Sequence, residues 1–271
     1  MLRALWNASK PLTVVGLGMM VVLMFSLVGL LVDSRTITGV PAWLKPSKFA
    51  VSTALYSLTF AWIFTYLIDW PRLRAFVGWI TALILVLEVA IIDLQAARGT
   101  TSHFNIATPL DRSLFIVMGF GIFIVWLLSI AVFIALMRTK IPDRSMAWAV
   151  RLGLLITILG TGTGLMMVRP TKAQLAEARS TGSMAISGAH TVGAPDGGPG
   201  MAITAWSREH GDLRVPHFFG IHAVQILPLF AWLFARNRPA IVIAAGVAYG
   251  AFFLFTLVQA IQGKPFLGGV L

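Results

Sequence analysis

Ala75-Phe-Val-Gly-Trp-Ile-Thr-Ala-Leu-Ile-Leu-Val-Leu-Glu88-Val-Ala-Ile-Ile-Asp93-Leu-Gln95-Ala-Ala97 is apolar or small at every position except Thr81, Glu88, Asp93 and Gln95. About twenty such residues in a helix cross the ~30 Å hydrocarbon core of a bilayer. Six further runs of that kind occur, so the spans read 12–32, 49–68, 75–97, 113–137, 147–168, 217–235 and 239–261. Breakers separate them: Asp69-Trp70-Pro71, Ile141-Pro142-Asp143 and Arg236-Asn237-Arg238-Pro239. Short connections predict antiparallel neighbours. The expectation is an all-α polytopic membrane protein, a seven-transmembrane-helix bundle forming a single transmembrane domain over 1–271, with a long outward-facing loop at 169–216 between spans 5 and 6.

Composition agrees. Of the 271 residues, 58% are hydrophobic and 11% charged, and the mean hydropathy is +0.85. A soluble domain carries roughly 25% charged residues. So little charge does not cover a water-facing surface, whereas lipid solvates apolar helix faces directly. The net charge of +11 does not point to nucleic acid. Its Lys and Arg residues sit at the ends of apolar runs rather than in one patch with interleaved aromatics. The absence of cysteine excludes disulfides, thiolate ligands and a cysteine nucleophile. The run 12–32 exceeds a signal-peptide core and no small-x-small cleavage site follows, so it reads as a retained first helix.

The basic residues orient the chain. Arg3, Lys10, Arg72, Arg74, Arg138, Lys140, Arg144, Arg151, Arg236 and Arg238 fall on one side, against Arg35, Lys45, Lys48, Arg98, Arg112 and Lys264 on the other. The richer side reads as cytoplasmic. The N-terminus is then inside and the C-terminus outside. His103, His190, His210, His217 and His222 all fall on the outer side or in the outer third of a span. So do the connections 98–112 and 169–216. The second is too long for a plain connector. It combines turn-forming Gly and Pro with Trp206, Ile203 and Met201, which reads as a folded cap.

Ionisable groups at membrane depth are costly and usually mark function. Glu88 lies about 15 Å below the outer end of its span, shares a face with Gln95, and is about 140° around the helix from Asp93. In the sixth span His217, His222 and Gln225 descend from the outer end, with Pro228 below. If spans three and six touch, Glu88, Asp93, His222 and Gln225 converge, and His103 closes over them from the following loop. Glu88 and Asp93 are the candidate catalytic carboxylates. His103, His217, His222, Gln225 and Gln95 are the candidate cofactor-binding groups, with His103, His222 and Asp93 as metal ligands. Lys48, Arg98, Asn105, His190, Asp196, Asp212 and Arg214 are the polar residues expected around the site. A structural reading stands beside this one: Asp93 pairs with Arg98 or Lys48, and the histidines bond backbone or cap the helix.

Other motifs carry less. Gly160-Thr-Gly-Thr-Gly164 lies inside a span without a P-loop lysine, and its spacing suits close helix packing. Ser52, Ser57 and Ser129 lack a base. Met166-Met167 and the Phe-rich last span read as core or lipid-facing. Lys264 lies beyond the last span, unlike a retinal-binding lysine.

Trp43-Leu-Lys-Pro-Ser-Lys-Phe49, Gln95-Ala-Ala-Arg-Gly99 with Ser102-His-Phe-Asn105, Ala189-His-Thr-Val-Gly193 with Gly197-Gly-Pro-Gly200, and Gly211-Asp-Leu-Arg-Val-Pro-His217 with Gly220-Ile-His222 resemble a family of uncharacterised bacterial multi-pass membrane proteins. The likeness runs from Trp43 to Pro228. It implies a location in the bacterial cytoplasmic (inner) membrane and supplies no residue roles.

Two activities follow as expectations. One is an outward site holding zinc, another transition metal or haem, with Glu88 or Asp93 as base if a metal-bound water attacks a substrate. In outline this is similar to ceramidase-like and progestin-receptor-like membrane hydrolases, from which the ligand spacing departs. The other is a proton-coupled transporter using Glu88. A non-catalytic accessory subunit is the third reading. The expected partners are the bilayer and a small-molecule or lipid substrate, with no nucleic acid; a protein partner is left open.

Overall fold

A computed structural model describes residues 1–267. Among them, seven helices are long and apolar enough to cross a membrane. The chain is an all-α, seven-span membrane protein that forms two compact units, Met1–Lys140 and Ile141–Leu271.

The first unit opens with a short helix α1 (Leu2–Ala8), followed by α2 (Lys10–Val32), α3 (Leu44–Ile63), α4 (Pro71–Ala97) and α5 (Pro109–Arg138). Pro11, Pro71 and Pro109 occupy the first turns of α2, α4 and α5, where a missing N–H costs nothing and φ is already helical. Between α2 and α3 a hairpin pairs β1 (Thr36–Ile37) with β2 (Val40–Pro41). Its two turn residues, Thr38 and Gly39, both have positive φ (50° and 80°), as the tightest hairpin turns require. The Arg35 guanidinium donates to the Ala97 carbonyl (3.0 Å), which ties the hairpin to the end of α4. Leu12, Phe60, Ile63, Phe64, Val77 and Ile92 form much of the interior. Large side chains such as Phe25 and Leu31 are exposed on α2, as lipid solvation permits.

The second unit comprises α6 (Arg144–Gly162), a single turn α7 (Gly164–Met167), a polar helix α8 (Lys172–Thr181), and the spans α9 (Arg214–Phe234) and α10 (Pro239–Ile261). Asp143 caps α6 by accepting from the Met146 N–H, and Thr171 with Gln174 forms a capping box on α8. Glycine sets the α6–α9 contact. A Cβ on Gly160 would overlap the backbone of Gly220, and one on Gly153 would press on Ala223 and Val224. The close approach therefore uses Gly160, as the sequence suggested. Its companions are Gly153 and Gly220; Gly164 meets only the His217 ring at ordinary contact distance.

The loop 169–216 is folded. β3 (Thr191–Val192) pairs with β4 (Gly211–Asp212), and Trp206 packs against Phe218, Phe219 and Phe266. Gly211 lies on the Ala260 carbonyl, where no side chain fits.

Candidate functional site

Glu88, Asp93, Gln95, Lys48, Arg98, His103 and Asn105 belong to the first unit. The helical period puts Glu88 and Gln95 on one buried face of α4, with exposures of 4% and 0%. The loop after α4 turns back on itself at Gly99 (φ +73°), and Phe104 adopts a left-handed φ of 66° although it is a buried, bulky residue. That conformation costs of order 1–3 kcal/mol and persists only where the surroundings impose it. Here it sets His103 against α4: Nε2 lies 3.7 Å from Glu88 Oε1. On the other side of the ring, Lys45 Nζ and Ser102 Oγ lie 3.0 and 3.1 Å from Nδ1. An ammonium only donates, so Nδ1 accepts and the neutral ring carries its proton on Nε2, the atom facing Glu88. Phe49 walls the site, with its ring 5.7 Å from the imidazole and 5.8 Å from Lys45 Nζ.

A second cluster fastens the loop. Asp111 accepts from Gln95 Nε2 (2.9 Å), Thr108 Oγ1 (2.6 Å) and Arg98 (2.6 Å), and Arg98 also donates to Gln95 Oε1. Asn105 donates to Thr100 Oγ1 and accepts from the Ala107 N–H, which shapes the turn. Gln95, Arg98 and Asn105 thus hold the loop that presents His103. The Asp93–Arg98 pair of the structural reading does not form, because Arg98 is drawn to Asp111. Asp93 instead keeps one buried carboxylate oxygen with no hydrogen-bond partner. Lys48 lies partly exposed in α3, one turn from Lys45. Nearby, Asp33 is held below the usual carboxylate range by the Arg35 side chain and N–H and by the Trp43 indole.

Lys45 and Asp111 were not among the expected site residues. Thr108-Pro-Leu-Asp111 is a recognisable capping pattern, since Thr108 Oγ1 accepts from the Asp111 N–H. Lys45 carries no such signal, because it reads as one more basic residue at a helix start.

His190, Asp196, Asp212, Arg214, His217, His222 and Gln225 belong to the second unit. Asp196 accepts from the backbone of His190 and Thr191 and from His190 Nδ1 (3.0 Å). Burial raises its pKa, but those bonds and the charge of His190 outweigh it and hold the carboxyl below the usual range. Asp212, 1% exposed, forms a forked ion pair with Arg214 (2.6 Å) and accepts from the Ser207 N–H, while Arg214 reaches the Ala205 carbonyl. All four residues build the cap. His217 Nδ1 donates to the Gly160 carbonyl (2.9 Å), a backbone bond of the kind the structural reading anticipated. His222 stacks edge-on against Phe218 at 4.5 Å, and Gln225 donates back to the His222 carbonyl. Beneath them Thr157 enters the α9 ladder: its Oγ1 lies 3.2–3.3 Å from the Gly220 and Ile221 carbonyls and accepts from the Val224 N–H.

Among the described residues, no three histidine or carboxylate side chains gather in a metal-holding arrangement. No known family, curated protein or solved structure matches the chain, so the fold and the side-chain geometry carry the functional argument.

Proposed function

We propose that this chain is a proton-translocating membrane protein whose working group is Glu88, loaded through His103 and Lys45 from the end of the first unit that holds the loop 98–108. The carrying observation is a buried carboxylate inside a span, 3.7 Å from an imidazole whose other nitrogen faces an ammonium. His103 gives its Nε2 proton to the Glu88 carboxylate, Nδ1 takes a proton from the Lys45 ammonium, and a hydronium ion at the mouth reprotonates the lysine. A flip of the imidazole then presents its N–H to Glu88 again. Bringing Nε2 from 3.7 Å to the ~2.7–3.2 Å of a hydrogen bond requires a small swing of His103. Following the Lys and Arg distribution, we place this end of the unit outside and the N-terminus inside.

The metal or haem reading has one point in its favour. His217 donates Nδ1–H to a carbonyl, which orients Nε2 as in many ligating histidines. His103 fits that reading poorly, with Lys45 at one nitrogen and Glu88 facing the other. The proton reading uses these contacts as they stand.

Proteoliposomes with a trapped pH dye and a valinomycin potassium potential test it. Wild-type protein should acidify or alkalinise the lumen with the sign of the potential. Glu88→Gln should slow this by about 10²-fold, the scale of a lost proton-transfer group, and His103→Gln should follow it. Wild-type flux equal to protein-free vesicles, or a fully active Glu88→Gln, overturns the proposal.

A further inference from the structure

At the end of the first unit opposite the Glu88 site, the turn before α4 and the C-terminus of α5 flank an open cavity of about 450 Å³ lined by Asp69, Trp70, Arg138, Thr139 and Lys140. The Thr139 hydroxyl is engaged by the Ala135 carbonyl (2.8 Å). The side chains of Asp69, Arg138 and Lys140 are exposed and make no hydrogen bond or ion pair with one another or with any other described residue. Three charges of both signs therefore line one concavity without neutralising each other. The cavity lies where three spans end, the level of a bilayer's headgroups, and Trp70 is a residue type enriched there. Ile68 and Met137, each next in sequence to a lining residue, are exposed apolar side chains.

We propose that this cavity binds the headgroup of a phosphoethanolamine lipid. The phosphate sits between Arg138 and Lys140, where two cations meet its oxygens. The primary ammonium reaches Asp69, with the Trp70 ring beside it. Each of the three protein charges then has a counter-charge. A choline headgroup has the phosphate but no N–H for Asp69, and a glycerol headgroup brings no cation. The exposed Ile68 and Met137, adjacent in sequence to Asp69 and Arg138, accept acyl chains, which favours a membrane lipid over a soluble phosphodiester.

Native mass spectrometry of delipidated full-length protein, titrated with phosphatidylethanolamine, phosphatidylcholine and phosphatidylglycerol of matched chains, tests the assignment. Phosphatidylethanolamine should be retained about fivefold more than the other two, the scale of one partly exposed ion pair. Asp69→Asn, at an exposed position bonded to nothing, should abolish that preference. Arg138→Gln with Lys140→Gln should lower retention of all three lipids. Equal retention of the three by wild type, higher retention of phosphatidylglycerol, or a preference that survives Asp69→Asn overturns the proposal. Displacement by equimolar soluble glycerophosphoethanolamine would overturn the lipid as its source.

Discussion

The first unit brings ionisable side chains together at one end, with Lys45, His103 and Glu88 in one group and Arg98 and Asp111 joined by the Gln95 amide in the other. In the α6–α9 contact of the second, the buried polar atoms are mostly backbone carbonyls and N–H groups met by Thr157 and His217, and glycines bring the two helices together. Among the described residues, its ion pairs His190–Asp196 and Arg214–Asp212 lie in the cap. The difference separates two ways of living at membrane depth. Glycine contacts give stability and leave few protons to move, whereas a buried carboxylate beside an imidazole is a poor structural choice and a good proton carrier.

Breaking the glycine contact should have the largest effect. Gly160→Leu places a side chain in the Gly220 backbone, which cannot yield as a flexible side chain would. We expect loss of folded protein in detergent by size-exclusion chromatography, with Gly160→Ala intermediate. A Gly160→Leu protein that elutes and melts like wild type would mean that the contact is loose.

Next is the cluster that fastens the loop in the first unit. Asp111→Ala leaves Arg98 without its carboxylate. Breaking a buried pair costs ~3–5 kcal/mol, and the lower end applies because Arg98 is 34% exposed and can turn to water. The thermal midpoint should fall, and hydrogen exchange over 98–108 should accelerate. If proton flux also falls while Glu88 is intact, the cluster acts by positioning His103. Unchanged flux would separate the two groups.

The smallest effect is expected in the cap, from pH. The folded pKa of Asp196 is depressed, so its stabilisation is complete above the ordinary aspartate range near ~3.9 and is lost as pH falls through and below it. Limited proteolysis of 183–213 should rise only below about pH 4. Asp196→Asn should show that susceptibility already at neutral pH. Equal cleavage of both proteins across the range would assign the cap's order to Asp212–Arg214 and Trp206 instead.

The seven spans were legible because a run of about twenty apolar residues has few other uses. The last span, 239–261, was placed with its observed bounds, but several other starts were not. α3 begins at Leu44 rather than near Phe49, α5 at Pro109 rather than Ser113, and α9 at Arg214 rather than His217. Each of these first turns carries Pro or charge, which hydropathy reads as loop although a helix N-terminus accepts both. Glu88 and His103 stood out as costly or unusual, and the closing of His103 over Glu88 was anticipated. Lys45 was not, because nothing in a helix-start lysine announces that a loop more than fifty residues later will fold onto it. Asp93 was given Arg98 or Lys48 as partner by proximity along the chain, but Arg98 finds Asp111, brought near by the turn at Gly99.

On the proposed reading Glu88 exchanges a proton through His103. Infrared difference spectroscopy of the reconstituted protein across a pH titration measures this most directly. A protonated-carboxyl band should appear and disappear reversibly with pH, be absent in Glu88→Gln, and shift its titration in Lys45→Met and His103→Gln. A titrating band that survives Glu88→Gln, or one in wild type that ignores both Lys45 and His103, would contradict it.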